Sequence, residues 1–309
     1  MSVARRLILK ASDSQWLREH GTKARFVRRA VSRFMPGESF GDMLAAAQAM
    51  AAQGVAAVFT RLGENVRDLA EADAVARHYL EGIDRIHQLQ LACEPSIKLT
   101  QLGLDIDREL AFGHLRALAL RTQTTGNYLW IDMEQSPYVE VTLDLTRRLA
   151  SEFPRIGVCL QAYLYRTRED LVDVMGRGIG VRLVKGAYNE LPAVAFPRKS
   201  EVDANYLALA QTMLEPGSRA SGARAVFGTH DLHLIETIRR HGSSAHVEAH
   251  DYEFHMLFGI QRAAQLKLAN DGALVRVLIA YGEYWFPWYM RRLAERPANV
   301  WFVAKSLLG

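Results

Sequence analysis

Eight short apolar, β-branched runs recur along the chain from residue 55 onward, and they constrain its fold more than any other feature. They are Val55–Thr60, Pro95–Leu99, Tyr128–Met133, Ile156–Ala162, Val181–Val184, Ala225–Thr229, His246–Phe254 and Val275–Ala280. Each is separated from the next by roughly 20–45 residues, the length of a strand plus a crossover helix. The intervening stretches, such as Val66–Leu89 and Tyr138–Glu152, carry apolar residues at helical period. Eight strands each followed by a helix predict an α/β protein, a (βα)8 TIM-like barrel. An open doubly wound sheet is the competing arrangement, but no GxGxxG follows the first run. Residues 1–50 read as a helical N-terminal segment broken at Pro36-Gly37, and residues 51–309 as the catalytic barrel.

Charge sharpens the picture. Residues 1–40 hold nine Lys/Arg against three acids, whereas the whole chain carries only +4, so the remainder is slightly acidic. That balance gives no reason to expect nucleic-acid binding. The basic N-terminal stretch reads as the solvated face of packed helices and is also compatible with peripheral contact with anionic lipid. No apolar run reaches the ~18 residues of a spanning helix, and no secretory signal follows Arg5-Arg6, which predicts a cytoplasmic protein. Cys93 and Cys159 lie in apolar surroundings and read as reduced core residues.

Chemistry in such a barrel gathers at the C-terminal strand ends. There the chain places Glu64, Lys98, Asp132, Glu134, Gln161, Arg182, Lys185, Thr229-His230-Asp231, Glu253 and His255. A lysine inside the apolar run around Lys98 must be paired or face a polar cavity. Lys185-Gly186-Ala187 offers a small-residue turn beside a cation, and Thr229-His230 a hydroxyl and an imidazole on the next strand, both suited to a phosphate-bearing ligand. His230, Asp231, His246, Glu248, His250, Asp251 and His255 raise the rival of metal-assisted hydrolysis. Against it, early-strand His-x-His ligands are missing and the His246–His250 segment alternates. Near the end, Trp288, Arg291, Arg292 and Glu295 fall along one side of a helix, where two guanidinium forks beside an aromatic wall can grip a carboxylate.

In order, the segments Ser96-Ile97-Lys98-Leu99, Ile131-Asp132-Met133-Glu134, Leu160–Arg166, Arg182–Tyr188, Thr229-His230-Asp231, Glu253–Gly259 and Arg291–Glu295 resemble the proline dehydrogenase family. The likeness to these FAD-dependent barrel enzymes, of the monofunctional bacterial type, runs from about residue 25 to the end. It implies oxidation of L-proline to Δ1-pyrroline-5-carboxylate by hydride transfer to flavin N5, with electrons passed to a quinone. It further implies a final helix capping the barrel mouth, whose Arg291 and Arg292 bind the substrate carboxylate. Lys98 and Asp132 would stand near flavin and substrate, and Gln161 and Arg182 against the isoalloxazine ring. Val184, Lys185, Gly186, Ala187, Thr229, His230 and Glu295 would line the rest of FAD, and no metal is expected. Tyr188 and Leu257 would wall the proline pocket, and Glu64 would pair with Arg291 on closure. Three positions depart from the family pattern: Leu278 and Trp288 stand where tyrosines face the proline ring, and His255 replaces a glutamine. They point to a different cyclic or N-substituted amino acid as an alternative substrate. The alternative to that is compensation, with Trp288 filling the space Leu278 gives up.

Overall fold

The computed structural model describes residues 31–286 and 288–290. Its centre is a closed parallel barrel in strand order β1 to β8: β1 Ala56–Arg61, β2 Cys93–Ile97, β3 Leu129–Ile131, β4 Ile156–Gln161, β5 Gly180–Val184, β6 Ala225–Gly228, β7 Tyr252–Leu257 and β8 Leu274–Tyr281. β8 closes on β1 over six register pairs, from Ala56↔Arg276 to Arg61↔Tyr281. The crossover helices are α2 Leu69–Gln88, α3 Arg108–Thr124, α4 Val139–Ala150, α5 Thr167–Gly176, α6 Lys199–Leu214, α7 Leu232–Ser244 and α8 Arg262–Asn270. Before them α1, Phe40–Ala51, starts at Ser39, whose hydroxyl and the Asp42 carboxylate form a reciprocal capping box. Its buried Met43, Ala47 and Met50 pack against β1 and β8. The open doubly wound sheet is thereby excluded.

The interior is layered. At the N-terminal end of the barrel Arg224 reaches Glu94 at 3.0 Å and Glu253 at 2.9 Å, and Arg276 reaches Glu94 at 3.1 Å and Glu253 at 2.9 Å. Above this tetrad lies Trp130, wholly buried, its indole N–H donating to Glu94 Oε2 at 2.7 Å. The ring fits because β4 has Gly157 alongside, where a Cβ would stand 2.4 Å from it. Val58, Val226 and Leu278 complete that layer.

Two sequence expectations change here. The seventh run was expected from His246, but β7 begins only at Tyr252. α7 runs to Ser244, Val247 N–H closes back on Gly242 O, and His246 takes a left-handed φ of 54°. Val247 is therefore apolar because it covers a helix end. The six-residue shift moves Glu253 from the expected rim to the opposite end of the barrel, inside the tetrad, and puts His255 in the middle of the interior. Lys98, expected inside a strand, is the first residue past β2 and precedes a 3-10 turn, Leu99–Leu102.

Candidate active site

The residues at the C-terminal strand ends form one connected polar floor. Ser96 and Lys98 alternate to the same side around the buried Ile97. Ser96 Oγ donates to Asp132 Oδ1 at 3.0 Å, and the Arg182 guanidinium donates to Ser96 Oγ at 2.8 Å while pairing with Asp132. Arg182 is buried and lies 5.3 Å from the centre of the Trp130 ring. A buried arginine held on one side by a carboxylate and below by an aromatic face has little freedom to turn. Lys98 is buried and has no ion-pair partner among the described residues, so the polar mouth is what it faces.

Gln161, at the end of β4, donates its amide to the carbonyls of Met133 and Glu134 at 3.4 and 3.2 Å. Its Oε1 and Arg182 Nη1 are buried without hydrogen-bond partners among the described residues. The register pairs Cys159 with Arg182 and Gln161 with Val184, which makes Gln161 and Arg182 diagonal neighbours pointing inward. An orphaned acceptor beside an orphaned donor suits a planar heterocycle with both N–H and carbonyl or ring-nitrogen edges, as the flavin ring has. The donor set thus fits the implied cofactor.

On the next strands, Gly186 adopts φ +110° and a Cβ there would stand 2.3 Å from the Tyr163 ring. Its small size thus serves Tyr163 packing, a reason the sequence alone did not disclose. Lys185 Nζ bonds Asp203 at 2.6 Å and Asp231 at 3.0 Å, so its charge is already offset by two carboxylates. Burial works against ionisation of both acids, yet the Lys185 bonds hold each below the ordinary range. Thr229 Oγ1 accepts from Asp231 N–H at 3.1 Å, and His230 Nε2 accepts Leu257 N–H at 2.9 Å. Val184 ends β5, with its carbonyl taken by Ala162 N–H, and Ala187 follows half-buried in the loop beyond. Tyr188 donates its hydroxyl to Glu64 Oε2 at 3.3 Å, joining the β5 exit to the β1 exit.

Leu278 is half-buried beside Val58, Trp130 and Val226, and it registers opposite Leu257. Trp288 belongs to a separate cluster with Val31, Met35, Leu62, Ala280, Trp285, Phe286 and Tyr289. Trp288 and Leu278 thus fall in different apolar clusters. Trp285 Nε1 donates to Glu38 Oε1 at 3.0 Å, which ties the segment after β8 to the chain preceding α1. Arg291, Arg292 and Glu295 lie outside the described residues.

The histidine-rich set does not converge. Among the described residues no three His, Cys, Asp or Glu side chains are placed to share an ion. His250 is exposed, while His255 is enclosed in the barrel, its ring nitrogens without hydrogen bonds among the described residues and Nε2 3.5 Å from Glu253. Among the described residues no helix is long and apolar enough to cross a membrane. Ser96, Trp130 and Asp203 belong to this site although sequence reasoning assigned them nothing. Only the strand alternation around Ser96 carried a usable signal.

A family model described as proline dehydrogenase matches residues 43–305. The chain belongs to the proline dehydrogenase family. It is 37% identical to proline dehydrogenase 1 of Bacillus subtilis strain 168 over 93% of either chain. It is 34% identical to the proline dehydrogenase of Deinococcus radiodurans over 89% of either. Among solved structures, proline utilization A from Bdellovibrio bacteriovorus, inactivated by N-propargylglycine, superposes with a TM-score of 0.80 at 21% identity. That match covers 94% of this chain and 36% of the longer one, and it supports the barrel architecture.

Proposed function

We propose that the protein oxidises L-proline to Δ1-pyrroline-5-carboxylate with FAD as cofactor and a quinone as final electron acceptor. Bound FAD would supply the hydride acceptor; the chain's own residues position and polarise. Arg182 and Gln161 would hold the ring through Nη1 and Oε1, unpaired among the described residues, and this pair is the observation that carries the reading within the family. Val184, Lys185, Gly186, Ala187, Thr229, His230 and Glu295 are assigned to the remainder of the cofactor. Lys98, buried and in no salt bridge with a carboxylate among the described residues, disfavours a second cation at the mouth and so favours the deprotonated amine. Arg291 and Arg292 are assigned to the carboxylate, Glu64 to Arg291 on closure, and Tyr188, Leu257, Leu278 and Trp288 to the pocket wall. The basic N-terminal stretch would provide peripheral contact with the membrane where a quinone resides. The test is the visible spectrum of the purified protein. Oxidised-flavin bands that bleach anaerobically with L-proline support the assignment; a colourless protein with no flavin after denaturation refutes it.

One observation favours a second reading. Leu278 presents no hydroxyl to the interior, where the resemblance implies a tyrosine against the proline ring. A wall so altered can shift discrimination by about 1–3 kcal/mol, which suits a bulkier cyclic or N-substituted amino acid. Bleaching by such a compound but not by proline would establish that version.

A further inference from the structure

Among the described residues, Glu134 is a buried carboxyl of the mouth outside the proposed cofactor and substrate contacts. Its Oε1 accepts Thr100 N–H at 3.1 Å and its Oε2 accepts the Thr100 hydroxyl at 2.6 Å. Thr100 in turn holds the β1 exit: its Oγ1 accepts Asn65 N–H and its carbonyl accepts Val66 N–H, each at 3.0 Å. Asn65 sits at φ 59°, an uncommon conformation for a residue with a side chain, and follows Glu64 directly. The Glu134 carbonyl receives Gln161 Nε2. Thr100 therefore ties the β1 exit bearing Glu64 to the β2 turn bearing Lys98, and Glu134 holds Thr100 by two bonds while its own carbonyl receives Gln161.

Resting on the proline dehydrogenase reading of this mouth, we propose that Glu134 is a positioning residue, an ionised anchor that fixes Glu64 and Lys98 relative to the substrate. Burial pushes its pKa up to about 7, against the Thr100 bonds and the charge of Lys98, with Glu64 adding to the rise. The titratable and charged groups facing it among the described residues are Glu64 from the β1 exit, Lys98 from the β2 turn and Tyr138 from the turn before α4. Protonation on Oε2 would turn the Thr100 hydroxyl from donor to acceptor. Thr100 Oγ1 would then accept from both Asn65 N–H and Glu134, and its own hydrogen would lose the acceptor it now has in Glu134 Oε2. The anchor is thus made above about pH 7 and loosened below it.

The test compares the wild type with Glu134→Gln and Thr100→Val, each as purified with its cofactor. Hydrogen–deuterium exchange at Asn65, Val66 and Thr100 is read at pH 8, and KM, kcat and their pH profile are read with L-proline and a dye acceptor. Glu134→Gln is expected to speed exchange at these amides about tenfold. It should raise KM about tenfold with a smaller change in kcat, and abolish a rising limb near pH 7 in kcat/KM. Thr100→Val should reproduce the exchange and KM effects, and the double variant should be no worse than either alone. Unchanged exchange, or a pH limb retained in Glu134→Gln, overturns the proposal. Thr100→Val decides the matter by the same exchange criterion if Glu134→Gln does not fold. A wild type inert toward proline would defeat the functional reading alone, since exchange still judges the anchor.

Discussion

His255 offers the sharpest quantitative test of the barrel interior. Burial pushes its pKa down to about 4 from an ordinary 6.5, although the Glu253 carboxylate pulls the other way. The folded state therefore holds a neutral imidazole where the unfolded chain would take up a proton. The stability that follows is fully present above pH 6.5 and is lost as the pH falls toward 4. Across that window the loss is about 3 kcal/mol, and at pH 5 about 2 kcal/mol has gone. Glu253, held well below the ordinary carboxylate range, gives up its share only below about pH 4.5, so it does not confuse the upper part of the window. Glu134 changes with the opposite sign, since its pKa is raised and stability falls as pH rises through 4.5 to 7. A difference between variants cancels that contribution. His255→Gln keeps a polar side chain of similar size and cannot titrate. Denaturant unfolding at pH 7.5 and 5.0 should show the wild type losing about 2 kcal/mol relative to the variant. Parallel pH dependences for the two proteins would refute a neutral buried imidazole.

Gly186→Ala forces a side chain into φ +110° and against the Tyr163 ring, at a combined cost of about 2–5 kcal/mol; a thermal melt and the flavin-to-protein ratio should both fall, and normal values would contradict the described loop. Asp132→Asn leaves the buried Arg182 guanidinium without its counter-charge and should cost about 3 kcal/mol in unfolding free energy, together with a shift in the bound-flavin spectrum. Leu278→Tyr should move the preference for L-proline over larger cyclic amino acids by roughly 10–200-fold in kcat/KM; an unmoved ratio would place Leu278 away from substrate. Arg292→Ala should cut kcat/KM severely with flavin retained, and unchanged turnover would end the carboxylate assignment.

Eight-fold periodicity was enough to anticipate the barrel, because each apolar run had to be buried on both faces and each intervening stretch on one. Where the reading slipped, the cause was a signal with two meanings. Val247 is apolar as a helix-end cover, yet apolarity beside alternating His and Glu also describes a strand, and the wrong choice carried Glu253 to the wrong end of the barrel. Asp203 could not be foreseen, since a carboxylate on the face of α6 meets Lys185 only once the helix docks beside β5 and β6. Likewise, Gly157 reads as a weakness in a strand until Trp130 is seen to need its space.

Permanent charge inside the barrel is divided by the Trp130 layer, and the two halves behave differently. Below it, Glu94 and Glu253 face Arg224 and Arg276, two against two, with each carboxylate reached by both arginines. Removing one member would strand a buried charge, so this tetrad fastens the N-terminal end of the barrel. Above it, Arg182 is matched by Asp132, and the charge of Lys98 is opposed by Glu134 when that carboxyl is ionised. The mouth therefore gains positive potential as Glu134 takes up its proton near pH 7. Such a mouth attracts a carboxylate more strongly but also holds Glu64 less firmly, since the Thr100 anchor loosens in the same step. Capture and positioning thus respond in opposite directions to one proton, and that opposition is what makes a KM and kcat measurement across neutral pH more informative here than either constant at one pH.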